Sequence, residues 1–166
     1  HADALESLAI SRAKQLFGAE HANVQPHSGV SANLAVYFSV LDVGDRILSM
    51  KLSHGGHLSH GDAASMTSRC FDFQHYGLNL KTEQLDYDEI ENTAQRFRPR
   101  MIVAGASSYP RLIDYGKMAA IAQAVSAVLL VDMAHIAGLV AARVIPSPLP
   151  HADFVTFTTY KTLRAG

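Results

Sequence analysis

Three short segments place side chains capable of chemistry where an apolar run ends or a helix begins. Ser28 and Gly29 precede a predicted helix, and small residues there leave backbone N–H groups open to an anion, although Ser28 could also be a plain N-cap. Asp132 directly follows the apolar residues 128–131, where an unpaired carboxylate is costly to bury. Lys161 follows another predicted strand and several hydroxyl groups, so its amine is a candidate for a Schiff base with a carbonyl compound.

A fourth segment is a loop that contains three histidines. His54, His57 and His60 are spaced by three, which on a helix would put them roughly on one face and suit a metal ion. The intervening Gly55 and Gly56 argue against a regular helix, and no carboxylate lies within the segment. A histidine in such a turn can instead lie flat against an aromatic ligand or act as an acid or base, or the loop can simply be polar.

One cofactor, pyridoxal 5′-phosphate (PLP), would use the chemistry of all four segments. Its phosphate requires an anion site such as a helix N-terminus, and its aldehyde requires a lysine. Its pyridine nitrogen stays protonated beside a carboxylate, which makes the ring an electron sink, and a flat histidine can stack on that ring. Because a single ligand accounts for four separate loops, we predict a PLP site rather than a metal site.

The elements that must position these residues alternate between helix-like and strand-like patterns. The strand-like runs are continuously apolar, which is typical of a mostly parallel, mixed sheet covered by helices on both faces. We therefore predict an α/β fold with three layers, α/β/α, in which ligands bind beyond the carboxyl ends of the strands. Helices are predicted at 2–17, 30–41, 86–97 and 114–125, strands at 46–50, 70–75, 101–104, 127–131 and 154–158, and a short extended piece or strand at 22–25.

The composition excludes several classes of protein. A chain of 166 residues with 48% hydrophobic residues can bury a core, and its net charge of −1 gives no electrostatic case for binding nucleic acid or an anionic membrane. A single cysteine, Cys70, excludes an internal disulfide framework and a cysteine-rich zinc site. Charged residues make up only 17%, against roughly 25% in an ordinary domain, which predicts surface buried against further chain or another subunit. With no signal-peptide pattern, we expect a cytoplasmic protein.

Residues 17–29, 54–61, 131–140 and 158–164 closely resemble, in their order and near spacing, the motifs of serine hydroxymethyltransferase. The resemblance runs over essentially the whole chain and implies a PLP enzyme of fold type I with an aspartate aminotransferase-like large domain. Residues 1–166 would be part of that PLP-binding domain, truncated at both ends. The implied reaction interconverts serine and glycine, with tetrahydrofolate as the one-carbon carrier, through a PLP aldimine. The resemblance also implies a homodimer or a dimer of dimers for the full-length protein.

The resemblance implies a role for each matching residue. Lys161 matches the lysine that forms the aldimine, Asp132 the partner of the pyridine nitrogen, and His57 the histidine stacked on the ring. Thr158 matches a threonine that lines the catalytic site. The remaining matches are two residues near the phenolic oxygen, Ser107 and His135, two in the phosphate-binding turn, Ser28 and Gly29, and three that contact the folate, Leu52, Gly56 and Leu58.

The chain departs from the family pattern at three positions in the cofactor loops. Val30 stands where the family has a second serine in the phosphate turn, so a hydrogen bond to a charged group, worth ~1.5–3 kcal/mol, is absent. Tyr160 replaces the histidine that precedes the lysine, and its bulkier phenol would change any proton handling there. Ala165 stands in place of a loop glycine, which matters only if its φ is positive.

These departures keep two other functions open. A threonine aldolase-like PLP lyase would use the same loops with a different reaction preference. A non-catalytic remnant would retain the fold as a structural or interaction module, although the joint presence of Lys161, Asp132 and His57 argues against it. The family's N-terminal segment and C-terminal domain supply substrate-binding residues that have no counterpart in this sequence. We therefore expect the 166-residue chain alone to be inactive.

Overall fold

The apolar runs form one parallel sheet in a computed structural model of the chain, which describes residues 1–165. The strands are β1 (Arg46–Met50), β2 (Asp72–Tyr76), β3 (Leu78–Asn79), β4 (Gln84–Leu85), β5 (Met101–Ala104), β6 (Val128–Asp132) and β7 (Phe154–Thr156). The main sheet has the order β2-β1-β5-β6-β7 with parallel neighbours, while β3 and β4 form a separate antiparallel hairpin. Parallel neighbours need long crossover connections, and most of these contain helices.

The helices of residues 1–165 are α1 (Ala2–Phe17), α2 (Gly29–Val40), α3 (Thr67–Cys70), α4 (Tyr87–Phe97), α5 (Tyr115–Ala124) and α6 (Ala137–Ala141). Two short 3-10 turns, Leu52–His54 and Leu58–His60, lie in the histidine loop. Side-chain caps begin three of the longer helices: Ser28, Asp86 and Asp114 each accept a hydrogen bond from the backbone N–H three residues later. These caps satisfy N–H groups that a helix start leaves unpaired, and they explain why the predicted starts are correct to within one residue.

Helices cover both faces of the sheet, as the three-layer prediction requires. On one face α2 packs Tyr37 against Ile47 and Val103 of the strands. On the other face α4 and α5 contribute a second core, in which Ile90 and Met118 are fully buried. Because the central strands lie between two apolar layers, their carboxyl ends are held rigidly at one edge of the sheet, where the loops begin.

The structure confirms the predicted α/β architecture and changes details at the ends of elements. Residues 22–25 are not a strand, the last strand ends at Thr156 rather than at residue 158, and β2 begins at Asp72 rather than at residue 70. The β3–β4 hairpin was not predicted, because strands of two residues are too short to show any periodicity. All pairings within the main sheet are parallel over the described residues, and the antiparallel pairing is confined to the hairpin.

Helix α1 lies at the surface, with no buried side chain among its described residues. Its apolar positions Leu5, Leu8 and Leu16 are 69%, 47% and 50% exposed. These side chains have the helical spacing that the sequence predicted, but within residues 1–165 they are not covered by another element. Across the same residues, the structure contains no helix with the length and apolar character needed to cross a bilayer.

Candidate active site

A cavity opens beyond the carboxyl ends of the strands. Its empty volume is about 400 Å³, which includes space open to the solvent. Its wall comes from the segments after β1, β5, β6 and β7 and from the start of α2. All seven residues predicted to bind a cofactor line this cavity: Ser28, Gly29, His57, Ser107, Asp132, His135 and Lys161.

Asp132 ends β6 as a buried and fully hydrogen-bonded carboxylate, 9% exposed. Its Oδ2 accepts hydrogen bonds from Asn33 Nδ2 at 2.9 Å and His60 Nε2 at 3.0 Å, and its Oδ1 accepts one from the Ala134 N–H at 3.0 Å. Burial alone would raise the pKa of Asp132, but the bonds from His60, Asn33 and Ala134 outweigh it and lower the pKa to about 2. The cavity therefore contains a permanent negative charge at neutral pH.

His57 lies on the cavity wall at the start of the second 3-10 turn. Its Nδ1 accepts a hydrogen bond from the Ser59 N–H at 3.2 Å and is 2.8 Å from Ser59 Oγ. Burial lowers the pKa of His57, and the neighbouring His60 lowers it further, while Asp132 acts in the opposite direction. The ring is therefore neutral at physiological pH, with Nδ1 as the acceptor.

Lys161 is a half-buried amine on the opposite wall, beyond the end of β7. Its Nζ donates to Thr158 Oγ1 at 3.3 Å and lies 4.9 Å from the centre of the Tyr160 ring. Thr158 is 3% exposed and lies behind Lys161 rather than on the cavity wall. The predicted catalytic threonine therefore contacts the lysine, and its hydroxyl orients the amine.

Ser107 and His135 complete the wall between the lysine and the carboxylate. Burial lowers the pKa of His135, the nearby Lys161 lowers it further, and Asp132 opposes the shift. Ser107 Oγ is buried, yet it has no hydrogen-bond partner within residues 1–165. A buried hydroxyl without a partner is unusual in a folded protein, and its position on the cavity wall suits a ligand oxygen.

The start of α2 forms one corner of the cavity. Ser28 Oγ accepts from the Ser31 N–H at 3.2 Å and lies 3.0 Å from Ser31 Oγ. A Cβ added to Gly29 would come within 3.0 Å of Thr158 Cγ2, so this position favours glycine. Val30 lines the cavity and is 41% exposed, in the position where the resemblance expects a serine.

The three predicted folate-binding residues lie near the cavity but are not part of its wall, as far as the described residues define it. Leu52 and Leu58 begin the two 3-10 turns and are 39% and 49% exposed. Gly56 is buried, and a Cβ there would overlap the carbonyl oxygen of Met50. The close approach of two backbone segments is thus sufficient reason for a glycine at position 56.

The structure separates the three histidines that the spacing grouped together. His54 Nδ1 accepts from the Leu78 N–H at 2.9 Å, away from the cavity, so the three histidines cannot share a metal ion. His57, His60 and Asp132 do bring potential ligand atoms within 4.8 Å of one another. In this arrangement His60 Nε2 and Asp132 Oδ2 already bond to each other, and a metal ion would have to break that bond.

Two residues that contact the predicted site were missed in the sequence: His60 and Asn33, both nearly inaccessible to solvent. The spacing of His60 indicates a possible metal ligand but not its bond to Asp132. Asn33 is a polar residue within the apolar segment 30–41, and this contrast is the feature of the sequence that could have indicated a role in the site. Ala165 does not need the conformational freedom of a glycine. In the turn after Lys161, the residue with a positive φ is Arg164, at 58°.

Three histidines with lowered pKa values, His57, His75 and His135, are expected to make the folded protein less stable as the pH falls below 6.5. Burial is the main cause that lowers the pKa of His57, His75 and His135 from 6.5. The unfolded chain therefore binds protons that the folded chain does not, and stability rises with pH between the lowered values and 6.5. Thermal unfolding of the cofactor-free protein over this pH range measures the effect. His75→Gln should flatten the dependence, and a melting temperature that rises on acidification would contradict the assignment.

Comparisons with known proteins show the family of the chain. The family model described as serine hydroxymethyltransferase matches residues 1–166. A curated protein named serine hydroxymethyltransferase, from Desulforapulum autotrophicum, is 60% identical to this chain over 162 residues. The aligned part covers 98% of this chain and 39% of the relative, so the chain spans about two fifths of that relative's length.

Proposed function

Because the chain belongs to the serine hydroxymethyltransferase family, we propose that it supplies the PLP-binding part of a glycine hydroxymethyltransferase. That enzyme interconverts serine and glycine, with tetrahydrofolate as the one-carbon carrier. In this proposal residues 1–166 belong to the large domain of the protein. The single observation that carries the proposal is the convergence of Lys161, Asp132 and His57 on one cavity from three separate segments.

The residues present fit PLP by two structural criteria. Ser107 lines the cavity, and its buried Oγ has no hydrogen-bond partner within residues 1–165, which suits a hydroxyl that bonds to a ligand oxygen. The buried Asp132 carboxylate is held ionised by its hydrogen bonds, so it suits a protonated ring nitrogen. When bound, PLP supplies an electron sink that allows a bond at the substrate's Cα to break.

Each residue of the cavity has a defined task in this proposal. Asp132 holds a proton on the ring nitrogen, and the neutral His57 provides a flat surface for the ring. Lys161 provides the amine for covalent attachment, and the hydroxyl of Thr158 orients it. The start of α2 offers backbone N–H groups and the Ser28 hydroxyl to the phosphate. Ser107 and His135 bind the phenolic oxygen.

The folate and subunit proposals rest on exposed apolar side chains and on the low fraction of charged residues. Leu52 and Leu58 expose apolar side chains on the two turns that flank His57, where a flat pterin could contact them. The low fraction of charged residues, 17%, and the exposed apolar positions of α1 support burial against other parts of the protein or a second subunit. We propose a homodimer or a dimer of dimers on this basis.

Titration of the intact protein with PLP tests the proposed function. We expect a saturable visible absorption band, and after borohydride reduction we expect peptide mass spectrometry to find the cofactor on Lys161. Lys161→Ala should lose the attachment. Lys117→Ala is the matched control, because Lys117 lies on α5 against the Tyr87 ring and away from the cavity. Absence of a band in the wild type would favour the non-catalytic remnant, and serine cleavage that does not depend on folate would favour the lyase.

Val30→Ser is expected to bind PLP about 10–100-fold more tightly than the wild type, since a hydrogen bond to a charged group contributes ~1.5–3 kcal/mol. Val30 lines the cavity beside Ser28 and Gly29, so a hydroxyl there can reach the phosphate. The dissociation constant from the same titration measures the effect. Val43→Ser, at an exposed position outside the cavity, is the control. Equal affinity of V30S and the wild type would show that the phosphate does not lie at this turn.

A further inference from the structure

A buried amide group joins the two cavity residues proposed to contact the cofactor ring. Asn33 lies on α2 and is inaccessible to solvent. Its Nδ2 donates one hydrogen bond to Asp132 Oδ2 and a second to Ser59 Oγ, both at 2.9 Å. Ser59 Oγ in turn lies 2.8 Å from His57 Nδ1. One side chain therefore contacts the carboxylate directly and the histidine through a single hydroxyl.

The direction of each hydrogen bond in this network follows from its two ends. The Ser59 N–H can only donate, so the His57 Nδ1 that it contacts at 3.2 Å carries no proton. The Ser59 hydroxyl must then donate to the same Nδ1, which leaves Ser59 Oγ to accept from Asn33. At the other end Asp132 is ionised and accepts only. Both ends thus require the amide NH₂ of Asn33 to point toward them.

The carbonyl side of the Asn33 amide is paired as well. The Thr156 hydroxyl on β7 donates to Asn33 Oδ1 at 2.7 Å. Both donor hydrogens and the acceptor oxygen of the amide therefore have defined partners. A flipped amide would set its carbonyl oxygen against the Asp132 carboxylate, acceptor against acceptor, and would leave the carboxylate without its bond.

We propose that Asn33 is a positioning residue: one N–H of its amide orients the Asp132 carboxylate, and the other fixes the Ser59 hydroxyl that donates to His57 Nδ1. The identity of the ligand in this inference rests on the proposed function, whereas the effect on His57 can be measured without ligand. Because the two donor hydrogens belong to the same rigid amide, a displacement of the carboxylate also displaces Ser59. Asp132, proposed to contact the edge of the cofactor ring, and His57, proposed to contact its face, are thereby held in a fixed position relative to each other.

Imidazole ¹⁵N chemical shifts of the cofactor-free intact protein provide the first test. We expect wild-type His57, assigned with His57→Gln, to show a protonated Nε2 and an unprotonated Nδ1. Asn33→Ala should keep this tautomer, because the Ser59 N–H still donates to Nδ1, but the Nδ1 resonance should move downfield, because the Ser59 hydroxyl loses the donor that orients it and bonds Nδ1 less well. Thr93→Val is the control, since Thr93 is also a buried polar residue but bonds to Glu89 on α4. A wild-type Nδ1 resonance in Asn33→Ala would overturn the proposal.

The dissociation constant for PLP provides the second test. Asn33→Ala removes a bond to the charged Asp132 and should weaken binding about 10–100-fold, whereas Ser59→Ala cuts only the branch to His57 and should weaken it about 2–10-fold. Equal affinities of Asn33→Ala and Thr93→Val would overturn the proposal.

Two further outcomes are distinguishable. If Asn33→Ala does not fold, Ser59→Ala and Thr156→Val replace it: a displaced His57 Nδ1 resonance in both supports the inference, and a wild-type spectrum in both refutes it. If the wild type binds no PLP, the proposed function fails. In that case a displaced Nδ1 resonance in Asn33→Ala still supports the positioning role, and an unchanged resonance rejects it.

Discussion

Replacement of Asp132 by asparagine is expected to reduce serine–glycine turnover by the intact protein by about 10²–10⁴-fold, because a buried cation that loses its partner costs ~3–5 kcal/mol. In the proposed site that cation is the protonated ring nitrogen. The change also disturbs the protein itself. Both oxygens of Asp132 accept hydrogen bonds, from Asn33 and His60 on one side and from Ala134 on the other. An asparagine amide would direct an NH₂ group at one of these donors.

Initial rates with serine and tetrahydrofolate measure the effect of D132N, and kcat should fall more than KM changes. Asp153→Asn is the matched control, because Asp153 Oδ2 also accepts a backbone N–H, from Leu129 at 2.8 Å, but lies outside the cavity. The visible spectrum should change in D132N and not in D153N. If both variants keep wild-type turnover, Asp132 does not act on the cofactor.

Replacement of Gly105 by alanine is expected to destabilise the folded protein by about 2–6 kcal/mol, the sum of backbone strain and an overpacked contact. Gly105 directly follows β5 and has a φ of +117°, a region that L-residues with a side chain rarely adopt. A Cβ at this position would also overlap the carbonyl oxygen of Asp132. The backbone of β6 would have to move, and the carboxylate would move with it.

Gly44→Ala separates the two contributions to this loss. Gly44 also has a positive φ, +93°, but a Cβ there would meet no atom within 4 Å. G44A should therefore show the conformational strain alone, about 1–3 kcal/mol. Denaturant unfolding of the cofactor-free proteins gives both free energies. Equal losses in G105A and G44A would mean that β6 adjusts without cost and that the contact with Asp132 is unimportant.

The central strands were predictable because burial on both faces leaves a continuous apolar run. The runs 46–50 and 101–104 match β1 and β5 residue for residue. The edge strands were less predictable, since a strand ends where its partner ends. Thr156 pairs with Asp132, the last residue of β6, so β7 stops there although the sequence continues with a strand-like pattern. Likewise β2 begins where Asp72 pairs with Arg46, the first residue of β1.

The candidate site was predictable to the extent that it depends on strand ends. The carboxyl ends of parallel strands share one edge, so chemically competent residues that follow different strands converge. Asp132 and Lys161 meet in one cavity for this reason. In the histidine loop, the spacing of three residues suggested one shared face for His54, His57 and His60, which the structure does not have. Gly55 and Gly61 end the two 3-10 turns in left-handed conformations, which turn His54 toward β3 and bury His60 beside Asp132.

The amino-acid sequence by itself determined the fold class, the residues available for chemistry and the family to which the chain belongs. Only the tertiary structure decided how those residues are bonded to one another. Asn33 and Asp132 are 99 positions apart, and their contact depends on how α2 packs across the ends of β6 and β7. Local patterns encode which side of a helix or strand is buried, but the direction of a buried hydrogen bond depends on all of its neighbours at once. The ionised carboxylate, the tautomer of His57 and the role of Asn33 are therefore properties of the packed structure.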